Sequence, residues 1–155
     1  SPWETWFAQI EESHSTLPAL VFFRSPRGDQ SWVTAGGTVL DAAALMLSAL
    51  DLPPSPAAML CIRAGFISFR RIAENFNIPF PPAPSFPETP ISITQDEFNA
   101  VLKRLDEAGI ALKDDREQAW RDFAGWRVNY DHALLGLCKL VMAPPAFWSS
   151  DRLRK

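Results

Sequence analysis

Between Pro79 and Pro90 the chain places six prolines, at positions 79, 81, 82, 84, 87 and 90. Each proline ring removes an amide donor and clashes with the preceding turn, so this stretch cannot propagate a helix and makes a poor strand. It predicts an extended, polyproline-like strap held on the surface by Phe80 and Phe86, forming an internal connector over 79–93. Whatever else the chain forms must pack on the two sides of this strap.

The flanking sequence is helical in pattern. Ser1 followed by Pro2 is a helix start, and Trp3, Trp6, Phe7 and Ile10 then recur at helical spacing to about Ser13. Leu17 to Phe23 is an apolar run, either a second helix begun at Pro18 or a buried extended segment. Ser25 to Asp29 has turn composition. Gln30 to Leu50 is apolar or small nearly all round. Trp32, Val39, Ala43, Met46 and Leu50 share one face, and Thr34, Asp41, Leu45 and Ser48 the other. Such a helix belongs in the centre of a bundle. The pair Gly36-Gly37 within it predicts close helix packing, not a phosphate loop, because no strand precedes it. Pro53-Pro54-Ser55-Pro56 ends that helix and caps the next, over Pro56–Asn77. Thr94-Gln95-Asp96-Glu97 is a capping box, and Gly109 is the stop of the helix it opens. A last helix is predicted from Asp114 to Met142, ended by Pro144-Pro145, with Phe147 and Trp148 folding back as a clasp. The expected fold is all-α: one domain over 1–155, an irregular bundle of five to six helices with a proline-rich strap.

The last helix carries the most informative residues. At about 100° per residue from Trp120, Arg127 falls at about -20° and Asp131 at about +20°. Both lie inside a stripe made by Trp120, Phe123, Ala124, Leu134, Leu135, Cys138, Val141 and Met142, one turn apart, where they can pair. Two readings stand. One is a buried ion pair that fixes helix register, with Asp41 as a third partner. The other is a ligand site built from Arg127, Asp131 and Asp41, since an arginine in an apolar groove can clamp a carboxylate or phosphate.

Other chemistry is poorly supported. Glu11 and His14 share the Glu-x-x-His spacing of carboxylate-bridged metal bundles, but such sites need the motif twice with further carboxylates, so no metal is expected. Cys61 and Cys138 are isolated thiols in apolar helical patterns and favour a reducing compartment over a disulfide. No GxSxG elbow and no adjacent Cys and His are present, so no catalytic residue and no cofactor are assigned. A net charge of -3 argues against nucleic acid as a partner. Arg63, Arg70 and Arg71 form a basic face that allows contact with anionic lipid, or that pairs locally with Glu74. Hydrophobic residues at 47% and charged residues at 21% fit a globular domain. The chain lacks an initiator Met, has no apolar run of ~20 residues, and both its ends resemble cuts from a longer protein.

The segment Glu12-Ser13-His14-Ser15-Thr16-Leu17-Pro18-Ala19-Leu20-Val21-Phe22-Phe23-Arg24-Ser25, with Gln30-Ser31-Trp32-Val33 and Thr38-Val39-Leu40-Asp41, resembles the cytosolic region that follows the pore in bacterial two-transmembrane potassium-channel-like proteins, an ion channel family. The likeness is concentrated in the first ~50 residues. It implies a regulatory or accessory domain on the cytoplasmic side of the inner membrane, acting by binding or assembly and not by catalysis. Its partner would be the transmembrane pore segment upstream in the same chain, with Trp3, Trp6 and Phe7 at the junction, and it allows a homo-oligomer formed through the parent protein. The competing function is a small-molecule sensor or enzyme with a polar pocket at Arg127, Asp131 and Asp41.

Overall fold

Helix boundaries follow the capping residues. Ser31, Ser55, Thr94 and Asp115 each accept a hydrogen bond from an amide in the first turn of the helix they open. The computed structural model describes residues 2–16 and 31–154. The predicted Leu17–Phe23 run, the Ser25–Asp29 turn, the Ser1 cap and most of the resembling segment lie outside the described residues. The elements are α1 (Pro2–Thr16), α2 (Trp32–Ser48), α3 (Pro56–Asn75), α4 (Gln95–Glu107), α5 (Arg116–Arg127), α6 (Asp131–Leu140) and a 3-10 turn (Ser150–Arg154). The fold is all-α, an irregular helical bundle; among the described residues the only extended pairing is one antiparallel bridge, Leu50 with Leu112.

α2 runs through the centre, as its apolar composition requires, and its two faces are buried unequally. Thr34, Asp41 and Ser48 are buried, whereas Val39 and Met46 are only half-buried. The face that carries polar atoms is the one turned to the core, because Asp41 has partners there. Gly36 and Gly37 act as predicted: a Cβ at Gly36 would lie 2.6 Å from the Phe69 ring, and one at Gly37 would lie 3.0 Å from Leu134. α1 lies along α3 in the same direction. Phe7 is fully buried against Gly65, and the Glu11 carboxylate binds the Ser68 hydroxyl (3.0 Å) and Arg71 (2.9 Å).

Three boundaries differ from the sequence expectation. α3 stops at Asn75, because Asn77 adopts the left-handed conformation (φ 56°) and the amide of Ile78 returns to the Ala73 carbonyl. The predicted single helix Asp114–Met142 is two helices. At the break the amides of Asn129 and Tyr130 reach back three residues, to Trp126 and Arg127, while the Asn129 side-chain amide donates to the Gly125 and Trp126 carbonyls. A side chain that hydrogen-bonds the backbone locally competes with the helix in this way. At the C-terminus, Trp148 is buried and stacks on Phe147 (4.8 Å between ring centres), but Phe147 is 58% exposed, so only one ring closes the clasp. The tail is anchored, since Arg152 pairs with Asp151 and with Glu97 of α4.

The strap holds no helix from 79 to 93, as its prolines demand, but it is not extended throughout: it turns at 86–88, where the Thr89 amide donates to the Ser85 carbonyl (2.7 Å) and the Phe86–Pro87 bond is cis. Phe86 packs edge-on against Trp120 (5.7 Å), and Ile78 fits over Gly136, where a Cβ would lie 2.3 Å away. Two arginines of the basic face of α3 reach other elements: Arg71 pairs with Glu11, and Arg70 donates to the carbonyl (2.8 Å) and side chain (3.2 Å) of Asn129, while Arg63 is exposed.

Two glycines test the packing. A methyl at Gly65 would lie 2.3 Å from Leu40 and 2.9 Å from Phe7, whereas nothing lies within 4 Å of one at Gly125. Gly65→Ala should therefore cost about 1–3 kcal/mol by overpacking. Gly125→Ala, in the last turns of α5, should gain up to about 1 kcal/mol from helix propensity. Urea unfolding of the two variants measures both signs.

Candidate functional site

Arg127, at the last turn of α5, is the buried centre of a cluster drawn from six parts of the chain. Its Nε donates to Asp131 Oδ1 (2.7 Å), at the start of α6. Its Nη1 donates to both oxygens of Asp41 on α2 (2.8 and 2.9 Å). Its Nη2 donates to the backbone carbonyl of Trp148 in the tail (2.6 Å). Tyr130, in the turn between α5 and α6, donates its hydroxyl to Asp41 Oδ1 (2.7 Å). Ser92, at the end of the strap, donates its amide to Asp131 Oδ2 (3.1 Å) and its hydroxyl to Asp131 Oδ1 (2.8 Å).

The three charged residues singled out from the sequence thus meet. Arg127 is 0%, Asp131 4% and Asp41 6% exposed, which places the cluster in the core and not in a groove. The break between α5 and α6 preserves the one-turn spacing of Arg127 and Asp131 and turns Tyr130 inward. Ser92, Tyr130 and the Trp148 carbonyl were not foreseen. Tyr130 carried a usable signal: it is the single tyrosine of the chain, three residues after Arg127, and a buried hydroxyl needs a partner.

The electrostatics follow from burial and pairing. Burial opposes the charge of Arg127, but Asp41 and Asp131 outweigh it and raise its pKa further above the usual guanidinium value. Burial raises the pKa of Asp41, against the opposing pull of Arg127 and Tyr130. Burial, then the neighbouring Asp41, raises the pKa of Tyr130 well above its usual value, so it stays a protonated donor. Two carboxylates face one guanidinium, which leaves the cluster with an excess of negative charge. A carboxylate or phosphate ligand would meet repulsion here, and Arg127 already spends all three nitrogens on protein groups. The arrangement suits a structural lock better than a clamp for an anionic ligand.

The remaining candidates do not gather. Glu11 is committed to Ser68 and Arg71, and the side chain of His14 lies outside the described residues. Among the described residues no group of three or more His, Cys, Asp or Glu is placed to hold a metal ion. Cys138 is buried, and that burial pushes its thiol up to about 12, which leaves it a poor nucleophile. Comparison with family models, with curated proteins and with solved structures gives no match to this chain.

Removing one member of a buried ionic cluster strands its partners, at about 3–5 kcal/mol. Asp131→Ala should lower the melting temperature far more than Asp151→Ala, whose partner Arg152 also binds Glu97. Arg127→Met strands two carboxylates and should cost more than the triple change Asp41→Leu/Arg127→Met/Asp131→Leu, which strands none. If Asp131→Ala and Asp151→Ala melt alike in calorimetry, the cluster contributes nothing to the fold.

Asp41 also sets a pH slope. Its folded pKa lies above the ordinary value of 3.8. As pH rises from about 4, the unfolded chain releases this proton before the folded chain does, so Asp41 lowers stability progressively through that window. Below it, where both states are protonated, the loss disappears. Urea unfolding against pH should show this falling component in the native chain and not in Asp41→Asn.

Proposed function

We propose that the chain acts by binding or assembly and not by catalysis, as a regulatory or accessory domain on the cytoplasmic side of a bacterial inner membrane, attached to a potassium-channel-like pore segment. The observation that carries this reading is the aromatic ladder of α1. Phe7 is fully buried, Trp6 packs edge-on against it (5.0 Å), and Trp3 packs edge-on against Trp6 (5.7 Å) and is 48% exposed. The ladder leads from the core to the surface at the N-terminal end of α1, where tryptophan suits a membrane–water boundary. Phe7 belongs to the core end of this ladder, so the junction falls to Trp3 and Trp6.

No helix among the described residues is long and apolar enough to cross a membrane; the pore of this proposal is a segment upstream in the parent chain. The competing function, a sensor or enzyme with a pocket at Arg127, Asp131 and Asp41, has the charge excess and the full occupancy of Arg127 against it. The test is the reading frame that encodes the chain. Two apolar spans of about 20 residues flanking a TVGYG-like filter upstream are expected. A catalytic domain in that place contradicts the proposal.

A further inference from the structure

The segment 144–154 is hydrogen-bonded mainly to itself. The amides of Ser149 and Asp151 both donate to the Ala146 carbonyl (3.2 Å each), the Arg152 amide donates to the Ser149 carbonyl (3.0 Å), and the Ser150 hydroxyl donates to the Pro144 carbonyl. Pro144 and Pro145 have no amide to give, so they add no bond back to α6. The polar ties to the helices are local: the Trp148 carbonyl on Arg127 Nη2 (2.6 Å), the Ser149 hydroxyl against the Cys138 thiol, and Arg152 on Glu97. The Trp148 ring plugs the core beside Phe123 (5.3 Å).

This closed position is held at a cost. Trp148 is 1% exposed, yet it adopts a φ of 57°, a left-handed backbone that disfavours a bulky side chain. Its indole N–H is buried without a hydrogen-bond partner. Met142, two residues before the prolines, is also left-handed (φ 49°). The guanidinium, by contrast, does not need the segment for its charge. Its pairs with Asp41 and Asp131 are made without it, and the partner it shares with the segment is a neutral carbonyl.

We infer that the segment 144–154 is a latch, which swings open as a unit about residues 142–145 while α1–α6 stay folded. Its internal bonds travel with it, so opening breaks only the ties to Arg127, Cys138, Glu97 and Phe123. The strain at Trp148 is released in the same step, and its indole N–H reaches water. Such a unit opens at a lower free energy than the whole fold. Closed, it seals the Arg127 cluster into the core. Open, it uncovers Phe123, the Cys138 thiol and one edge of the guanidinium, and anything that binds one form better shifts the balance toward it. The inference is independent of whether the parent chain is a channel.

Cys138 reports the opening. In a Cys61→Ala background it is the single thiol of the full chain, and its reaction with dithiobis(nitrobenzoate) measures how often the segment lifts. Arg152→Ala removes the tie to Glu97 and should speed this reaction about tenfold. Phe7→Leu loosens the packing of α1 on α3, far from the segment, and should lower the urea midpoint while leaving the labelling rate unchanged. The amides of Ser149 and Asp151 should respond to both variants in hydrogen exchange as Cys138 does. The latch is overturned if Phe7→Leu speeds labelling by the factor its loss of global stability predicts, because Cys138 is then reached only through unfolding of the whole chain. It is equally overturned if Arg152→Ala leaves both the labelling rate and the two amides unchanged.

Discussion

The guanidinium of Arg127 is the interaction on which the rest of the structure depends. A charge with no exposed surface is tolerable only when every nitrogen has a partner, and here each partner comes from a different part of the chain. Satisfying Arg127 therefore fixes the positions of α2, the start of α6 and the tail together. Asp131 extends the constraint to the strap through Ser92, and Asp41 extends it to the α5–α6 turn through Tyr130. Apolar burial would hold these elements together in several registers. The directional bonds to one planar guanidinium select one of them.

Close helix approach does the corresponding work on the other side of α2. Gly36 and, facing it from α3, Gly65 lie where Phe69, and Phe7 with Leu40, press against the backbone, whereas Gly37, one turn from Asp41, meets Leu134 on the cluster's own face. α2 is thus held by an ionic cluster on one face and by interlocked rings on another, with its remaining apolar face left half-buried. Seen this way, the half-burial of Val39 and Met46 is a consequence of which faces of α2 already have partners.

Much of this was legible in the residues. Capping side chains located the starts of α3 and α4, Gly109 stopped α4 with a φ of 82°, and the prolines dictated the strap. The placement of Arg127 and Asp131 in an apolar stripe, with Asp41 as a third partner, anticipated the cluster because the (i, i+4) contact survives the helix break. The break itself was illegible, since it depends on Asn129 bonding its own backbone and on Arg70 arriving from α3. A wheel drawn through it misplaced Met142, which is 71% exposed, and omitted Leu137, which is fully buried. The central place of α2 was legible in its apolar composition, and the burial of Thr34, Asp41 and Ser48 agrees with it. Function was the least legible, because a lock of this kind resembles a binding site until its partners are seen.

Amide hydrogen exchange on Arg127→Met tests the lock most directly. If Arg127 couples the distant elements, protection should fall together at the Ser92 amide, which bonds Asp131, at the amides of Ser149 and Asp151, which bond Ala146 in the tail, and in α2 around Asp41. Loss of protection confined to the α5–α6 turn, with Ser92 and the tail unchanged, would contradict the account.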